Sequence, residues 1–337
     1  MKRAAADYPS PEASDEEEDE EMTKYRLNME IENRVMKACI FYSSKHRDGS
    51  IYKGDEHWHR RYRVADTRET TLEPMRLSAP TDCQPNRWNC IKHSETNMMQ
   101  IFSLKLANAT TAADDGPIQL YGFVAVRDLL DPLRNYIFNR TRDDPFVVIG
   151  LKDGDYSDIP MVGPKRGIFM SARVLMEFDI RIKGAGSEDD DLQLIDGATT
   201  FCELTSIDCV PYMKRIDGDC GAIDVTAAIV RCAVEGTIQV EVTEVQGSGM
   251  NLSLYYTVSG MKPKIRHFQG VVAEPCALNR FVVAVVRYTA LIVYLDVDQR
   301  GIKGRALAFK ARVHGEDVQE FRLGFATIVV KVAWSTL

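Results

Sequence analysis

The chain has 337 residues, is 45% hydrophobic and carries a formal net charge of -7, so it has apolar material for a sizeable core and no excess of base with which to grip a polyanion. Residues 1–22 hold nine acids against Lys2 and Arg3, which already sums to -7, so residues 23–337 sum to zero. No apolar run is long enough to span a membrane as a helix, and the first residues lack the apolar stretch of a secretory signal; a cytoplasmic or nuclear address is expected.

In chain order, residues 1–22 combine proline, small residues and a block of like charge, a composition that cannot offset the entropy of ordering, and a disordered acidic tail is expected there. Ser10 before Pro11 and Ser14 before the acidic run have the look of kinase acceptors, although a solubilising tail explains them equally. From Thr23 the apolar residues Leu27, Ile31, Val35, Met36 and Ile40 recur at helical spacing, predicting one short N-terminal helix. Residues 43–97 are polar, arginine-rich and broken by Gly49, Gly54, Pro74, Pro80 and Pro85, predicting an irregular N-terminal arm that wraps the body. Three segments result: a tail at 1–22, helix plus arm at 23–97, and a β-rich domain at 98–337.

The β-rich segment declares itself by a period of two. In the run from Val174 to Lys183, the residues Val174, Met176, Phe178, Ile180 and Ile182 fall on one face and Glu177, Asp179 and Arg181 on the other. This predicts Phe178 and Ile180 in the core and Glu177, Asp179 and Arg181 toward solvent. Similar segments lie at 100–106, 118–127, 136–139, 146–151, 167–170, 192–194, 199–204, 223–230, 237–245, 252–258, 266–272, 281–287, 291–297, 305–313 and 318–334, the last long enough for two strands. Residues 184–187 and 246–249 are Gly-containing hairpin loops. The fold class is therefore all-β, an antiparallel β-sandwich. VLMEFDIRIKGAG from Val174 resembles LIVYLDVDQRG from Leu291, which suggests two related β-halves joined near residues 205–222, with chance likeness between strands as the competing reading.

The densest polar constellation surrounds one predicted turn and gives the candidate ligand- or partner-binding residues: Arg127, Asp128, Arg134, Asn139, Arg140, Arg142, Asp143 and Asp144. Guanidinium–carboxylate pairs could fix the loop, or the arginines could face an anionic ligand; pairing of Asp143 and Asp144 with Arg140 and Arg142 is the expectation, since no partner motif accompanies them. Residues 53–63 interleave bases with Trp58 and Tyr62 as single-strand nucleic-acid contacts do, but the run is short and isolated, and docking of its aromatics on the body or folding back on the acidic tail is expected instead. The eight cysteines read as thiols. Cys83, Cys90 and His93 are close, yet the six residues between the cysteines miss the short hairpin spacing of structural zinc sites, so no metal and no cofactor are expected. The sequence carries no nucleophile elbow, Walker loop, dinucleotide fingerprint or HExxH helix, leaving the catalytic residues unknown.

The blocks MMQIFSLKLA from Met98, GPIQLYGFVAVRDLLDPLRNYIFNRTRDDPF from Gly116, GPKRGIFMSARVLMEFDIRIKG from Gly163 and EDDDLQLIDG from Glu188 resemble a domain family abundant in grasses, known only as domain of unknown function 6598. The resemblance runs over roughly residues 98–334 and implies a β-rich domain, found alone or beside ribosome-inactivating N-glycosidase domains, and a setting in plant stress or defence. It brings no activity. Residues 1–97 are too few to hold an N-glycosidase fold as well. The reading is a non-enzymatic interaction module with a protein partner, with neither nucleic acid nor membrane expected as partners. Its rival is a hydrolytic enzyme acting on nucleic acid or glycans through a site assembled from distant strand ends.

Overall fold

The computed structural model describes residues 44–86, 89–109, 117–148, 157–203, 208–247, 249–297 and 304–337. The acidic tail, the helix from Thr23 and Ser248 of the 246–249 loop lie outside the described residues. The arm contributes a 3-10 turn at Ser50–Tyr52, one short helix α1 (His57–Arg61) and a minimal hairpin of β1 (Pro85–Asn86) and β2 (Asn89–Cys90). The body is antiparallel β throughout, as the alternation predicts.

Its strands are β3 (Thr96–Ala109), β4 (Ile118–Arg127), β5 (Asn135–Arg140), β6 (Phe146–Val148), β7 (Ser157–Ile159), β8 (Ile168–Phe169), β9 (Val174–Ile182), β10 (Leu192–Phe201), β11 (Tyr212–Asp217) and β12 (Gly221–Val245). There follow β13 (Met250–Val258), β14 (Ile265–Val272), β15 (Cys276–Ala277), β16 (Phe281–Val286), β17 (Ala290–Val297), β18 (Arg305–Lys310), β19 (Gly315–Arg322) and β20 (Ala326–Ser335). One sheet has the order β10-β9-β4-β5, and another the order β18-β17-β13-β14. The short strand β6 pairs with β4 in the first sheet, and the nine-stranded sheet holds the remaining strands of both halves: β7 and β8 on β3, then β12 and β11; and, likewise, β15 and β16 on β12, then β20 and β19. The same strand order thus occurs twice. In it β3, β4, β5, β7, β8, β9, β10, β11 and the first part of β12 correspond to the second part of β12, β13, β14, β15, β16, β17, β18, β19 and β20.

The halves meet inside β12 rather than in a connector at 205–222. This 25-residue strand pairs over 221–230 with β11 and β3, and from Ala233 onward with β16 and β20. The changeover is a bulge at Arg231 and Cys232, where the register with β3 slips and Cys232 adopts φ 49. The break expected between 230 and 237 is absent because Gly236 serves packing, not turning: a Cβ there would lie 2.9 Å from the ring of buried Trp334. Likewise 192–194 and the start of 199–204 join in one strand, β10, which ends at Phe201 and whose central Asp196 is a buried acceptor.

In the second repeat, Leu252, Leu254, Tyr256 and Val258 of β13 and Leu291, Val293, Leu295 and Val297 of β17 meet Val234, Ile238, Val240, Ile328, Val330 and Val332 of the large sheet. Period-two burial is clean there, since only one face of this sheet is dry. In the first repeat β9 buries Val174, Met176, Phe178 and Ile180 as expected, but also Leu175 and Glu177. The expectation that Glu177 faces solvent is therefore wrong. The arm lies on that outer face, where Ile51, Tyr62 and Val64 pack with Leu175 and Ala198 and exclude water from the carboxylate beside them.

Candidate functional site

Three of the polar residues singled out from sequence, Arg127, Asp128 and Arg134, are buried beneath the arm and hold it. Arg127 ends β4 and pairs with Glu177 on β9. Its guanidinium also donates to the carbonyls of Tyr62 (3.2 Å), Arg63 (3.0 Å), Asp66 (2.8 Å) and Pro132 (2.8 Å), so one side chain satisfies a whole stretch of arm backbone. Arg134 reaches the other oxygen of Glu177 at 3.2 Å and lies 4.2 Å from the Phe123 ring centroid. Arg166 forks onto Asp128 at 2.6 and 3.0 Å, and Asp128 in turn accepts the Phe169 N–H at 2.8 Å.

His46 completes this cluster from the arm, with Nδ1 2.7 Å from Asp196 and Nε2 2.9 Å from Glu177. Burial alone would lower its pKa, but the two carboxylate hydrogen bonds outweigh that and raise it above the usual histidine value. Burial likewise pushes Glu177 up and is overcome by His46, Arg127 and Arg134, which hold the carboxyl at about 2. Glu235, buried on β12, accepts the N–H groups of Gly167 (2.7 Å) and Met75 (2.9 Å) and fixes the arm further along. Sequence reasoning missed His46, Glu177, Asp196 and Glu235 because nothing in a strand's own pattern announces that a remote segment covers its wet face.

Of the other five candidates, Asn139 and Arg140 end β5, and Arg142, Asp143 and Asp144 sit on the loop that follows. Arg140 meets Asp144 at 2.5 Å, the pairing expected here, with Arg140 partly buried and Asp144 exposed. Arg142 does not pair with Asp143. It forks onto buried Asp191 at 2.8 and 3.1 Å and donates to the Gly186 carbonyl at 2.7 Å, binding its loop to the β9–β10 connection. Asn139, Asp143 and Asp144 are exposed. Of the 53–63 run, Tyr62 is buried with its hydroxyl donating to the Arg173 carbonyl at 2.7 Å, so this ring is docked on the body, one of the two alternatives read from sequence.

A cleft of about 740 Å³ opens where the two repeats adjoin. Its floor is a row of outward charges on consecutive strands. Arg215 stands opposite Asp224, Asp224 opposite Lys105 and Lys105 opposite Asp158. Arg266 of the second repeat then closes the row on Asp158 at 2.6 Å, while Arg215 and Asp224 are 2.7 Å apart. Along the sides lie Pro160, Met161, Met213, Tyr255 and Pro263. Lys264 stands at the edge, 4.6 Å from the Tyr294 ring centroid. Among the described residues one further group has ligating atoms close together: the Cys83 and Cys90 sulfurs and a His93 ring nitrogen lie within 4.8 Å of one another. No helix among the described residues is long and apolar enough to cross a membrane.

No curated protein matches the chain. Among solved structures it is 11% identical to human GIVD cytosolic phospholipase A2, over 71% of this chain and 33% of that one, with a TM-score of 0.24. It is also 9% identical to the calcium-bound tandem C2 domains of extended synaptotagmin 2, over 72% of this chain and 97% of that one, with a TM-score of 0.26. The chain spans about a third of the length of the phospholipase it matches, and likenesses this distant carry no argument about fold or activity. Residues 98–332, which begin at β3 and end within β20, match one family along their length, and the chain belongs to it: Domain of unknown function (DUF6598).

Proposed function

We propose that the chain is a non-enzymatic interaction module that receives a segment of a protein partner in the cleft between its repeats. The observation supporting this reading is the ion-paired floor. Arg215, Asp224, Lys105, Asp158 and Arg266 alternate in sign and pair with one another, so an anionic ligand entering the cleft would compete with carboxylates already in place. A peptide needs no such competition. It gains affinity from the apolar sides, where Met161 and Met213 adapt to varied side chains and Tyr255 offers a rigid face. Asn139, Asp143 and Asp144 are the accessible part of the candidate loop and would act only as a peripheral contact for the same partner. A role in plant stress or defence would then consist in which protein is held, not in a reaction performed.

The test places a photo-reactive residue at Lys264 and asks for a crosslinked protein that disappears when Met213→Glu is added. The expected result is loss of the crosslink with an unchanged melting temperature, because Met213 is 40% exposed and supports no core. Turnover of nucleic-acid or glycan substrates by the purified chain, abolished by the same change, would instead favour the hydrolytic alternative.

A further inference from the structure

Cys83 and Cys90 lie on either side of the minimal β1–β2 hairpin, whose pairing sets Pro85 opposite Cys90. His93 follows three residues after Cys90, and its Nδ1 stands 3.2 Å from the Cys90 sulfur. The fourth group comes from far along the chain: His314, in the turn before β19, places Nε2 3.0 Å from the Cys83 sulfur. The two imidazoles approach edge to face with centroids 6.4 Å apart. A buried thiol ordinarily behaves as a small hydrophobe among carbon atoms. Here each sulfur faces an imidazole nitrogen.

We propose that Cys83, Cys90, His93 and His314 form a closed four-ligand site for a zinc-type divalent cation, which fastens the arm to the second repeat. Metal–sulfur and metal–nitrogen lengths of about 2.3 and 2.0 Å in a tetrahedron place sulfur and nitrogen about 3.5 Å apart and the two sulfurs about 3.8 Å apart. The separations of 3.2 and 3.0 Å are near that value, and the ligating atoms of Cys83, Cys90 and His93 lie within 4.8 Å of one another; closing the set requires the His314 ring, already on the Cys83 sulfur, to turn in toward the other three. Two outer features suit a ligand set. The main-chain N–H groups of Gln84, Lys92 and His93 bond the Cys90 sulfur, as they would a thiolate. Asp82 lies 3.4 Å from Nε2 of His93, which leaves Nδ1 to ligate and orients the ring.

Charge also balances. Binding releases the two thiol protons to solvent, and two thiolates, two neutral imidazoles and one dipositive ion sum to zero, a suitable total for a site whose Cys90 belongs to the apolar core of the second repeat. With all four positions taken by protein there is no open coordination site, which marks the ion as structural and not catalytic. The spacing argument made from sequence compared only Cys83, Cys90 and His93; the proposed fourth ligand is 231 residues from Cys83.

The experiment uses the full chain, purified under reducing conditions and loaded with cobalt(II) or zinc(II). One ion per chain is expected, with the visible bands of tetrahedral cobalt and a thiolate-to-cobalt charge-transfer band, both bleached by one equivalent of zinc. Cys83→Ser and His314→Ala should each weaken retention at least tenfold, while Cys276→Ser retains the ion. Should a ligand variant fail to fold, the cobalt spectrum of the unaltered chain still decides. An octahedral spectrum, less than about a tenth of an ion per chain after loading, a Cys83–Cys90 disulfide in reduced preparations, or full retention by Cys83→Ser would overturn the assignment.

Discussion

The two repeats carry the same four-strand order, yet the outer faces of these sheets have opposite fates. On β9 that face holds Leu175 and Glu177, both buried under the arm; on β17 it holds Ile292 and Tyr294, both partly open. The register across each pair makes the comparison residue by residue. Ala125 stands opposite Glu177 as Tyr255 stands opposite Tyr294, so the place of the most enclosed carboxylate is taken in the second repeat by the partly open Tyr294 ring, across from the cleft-lining Tyr255. Arg127 has Thr257 as its counterpart. A buried ion pair is costly unless its lone pairs and protons are used, and the first repeat comes near that condition, with Nε of Arg134 left over, because the arm brings His46 and a run of carbonyls. The second face, with no covering segment among the described residues, has instead the amphipathic rings and Lys264 suited to water or to a partner.

The sharpest way to break this comparison is Glu177→Ala against Tyr294→Ala. Removing Glu177 leaves Arg127 and Arg134 buried without their carboxylate and should cost about 3–5 kcal/mol in urea unfolding, against about 1 kcal/mol for Tyr294→Ala. Phe178→Ala falls in the same range of about 3–5 kcal/mol, so the supposedly wet carboxylate weighs as much as the ring beneath it. Equal losses at positions 177 and 294 would show that the arm does not enclose the first face.

Acid should separate the faces next. Glu177 falls from its usual 4.5 to about 2 on folding, so the stability it contributes is complete above 4.5 and disappears as pH falls toward 2. His46 is shifted the other way, so its contribution is complete below 6.5 and fades as pH rises through the higher folded value. Hydrogen exchange of residues 44–66 should therefore accelerate below pH 4.5, while β13 and β17 stay protected. Simultaneous loss of protection in both would contradict arm-specific release.

Smaller effects sharpen the picture. Arg142→Ala strips the forked bond from buried Asp191 and should cost about 1–3 kcal/mol, whereas Arg140→Ala should cost less than about 0.5 kcal/mol because its partner is exposed. Lys264→Ala on the open face should change stability by no more than about 0.5–1 kcal/mol, the worth of an exposed cation over a ring.

The architecture was largely legible because a sheet with one dry face writes its period into the chain. Both β4 and β9 have the ends that alternation predicts, and β13 and β17 come within two residues. What alternation could not show were interactions that depend on long separations. The segments 192–194 and 199–204 stood apart because nothing local reveals the arm's backbone resting on the Asp196 carboxylate between them. The segments 223–230 and 237–245 stood apart because Trp334, which lies over Gly236, is almost a hundred residues away. No segment was expected at β11, which pairs with the start of β12. Among the candidate loop residues, composition found the arginines but not their partners: Arg127 and Arg142 each reach across to a different strand or connection.

The long strand β12 leaves the two repeats no linker of their own. Tandem units joined by a flexible connector can be cloned apart and can reorient independently. Here a cut anywhere between 221 and 245 deprives one unit of its last strand or the other of its first. The sharing therefore removes the hinge by which adjacent units usually swing, and it fixes the width of the cleft between them as a property of one continuous backbone. A bulky residue forced into the bulge at Arg231 and Cys232 would alter that width without touching any residue that lines the cleft.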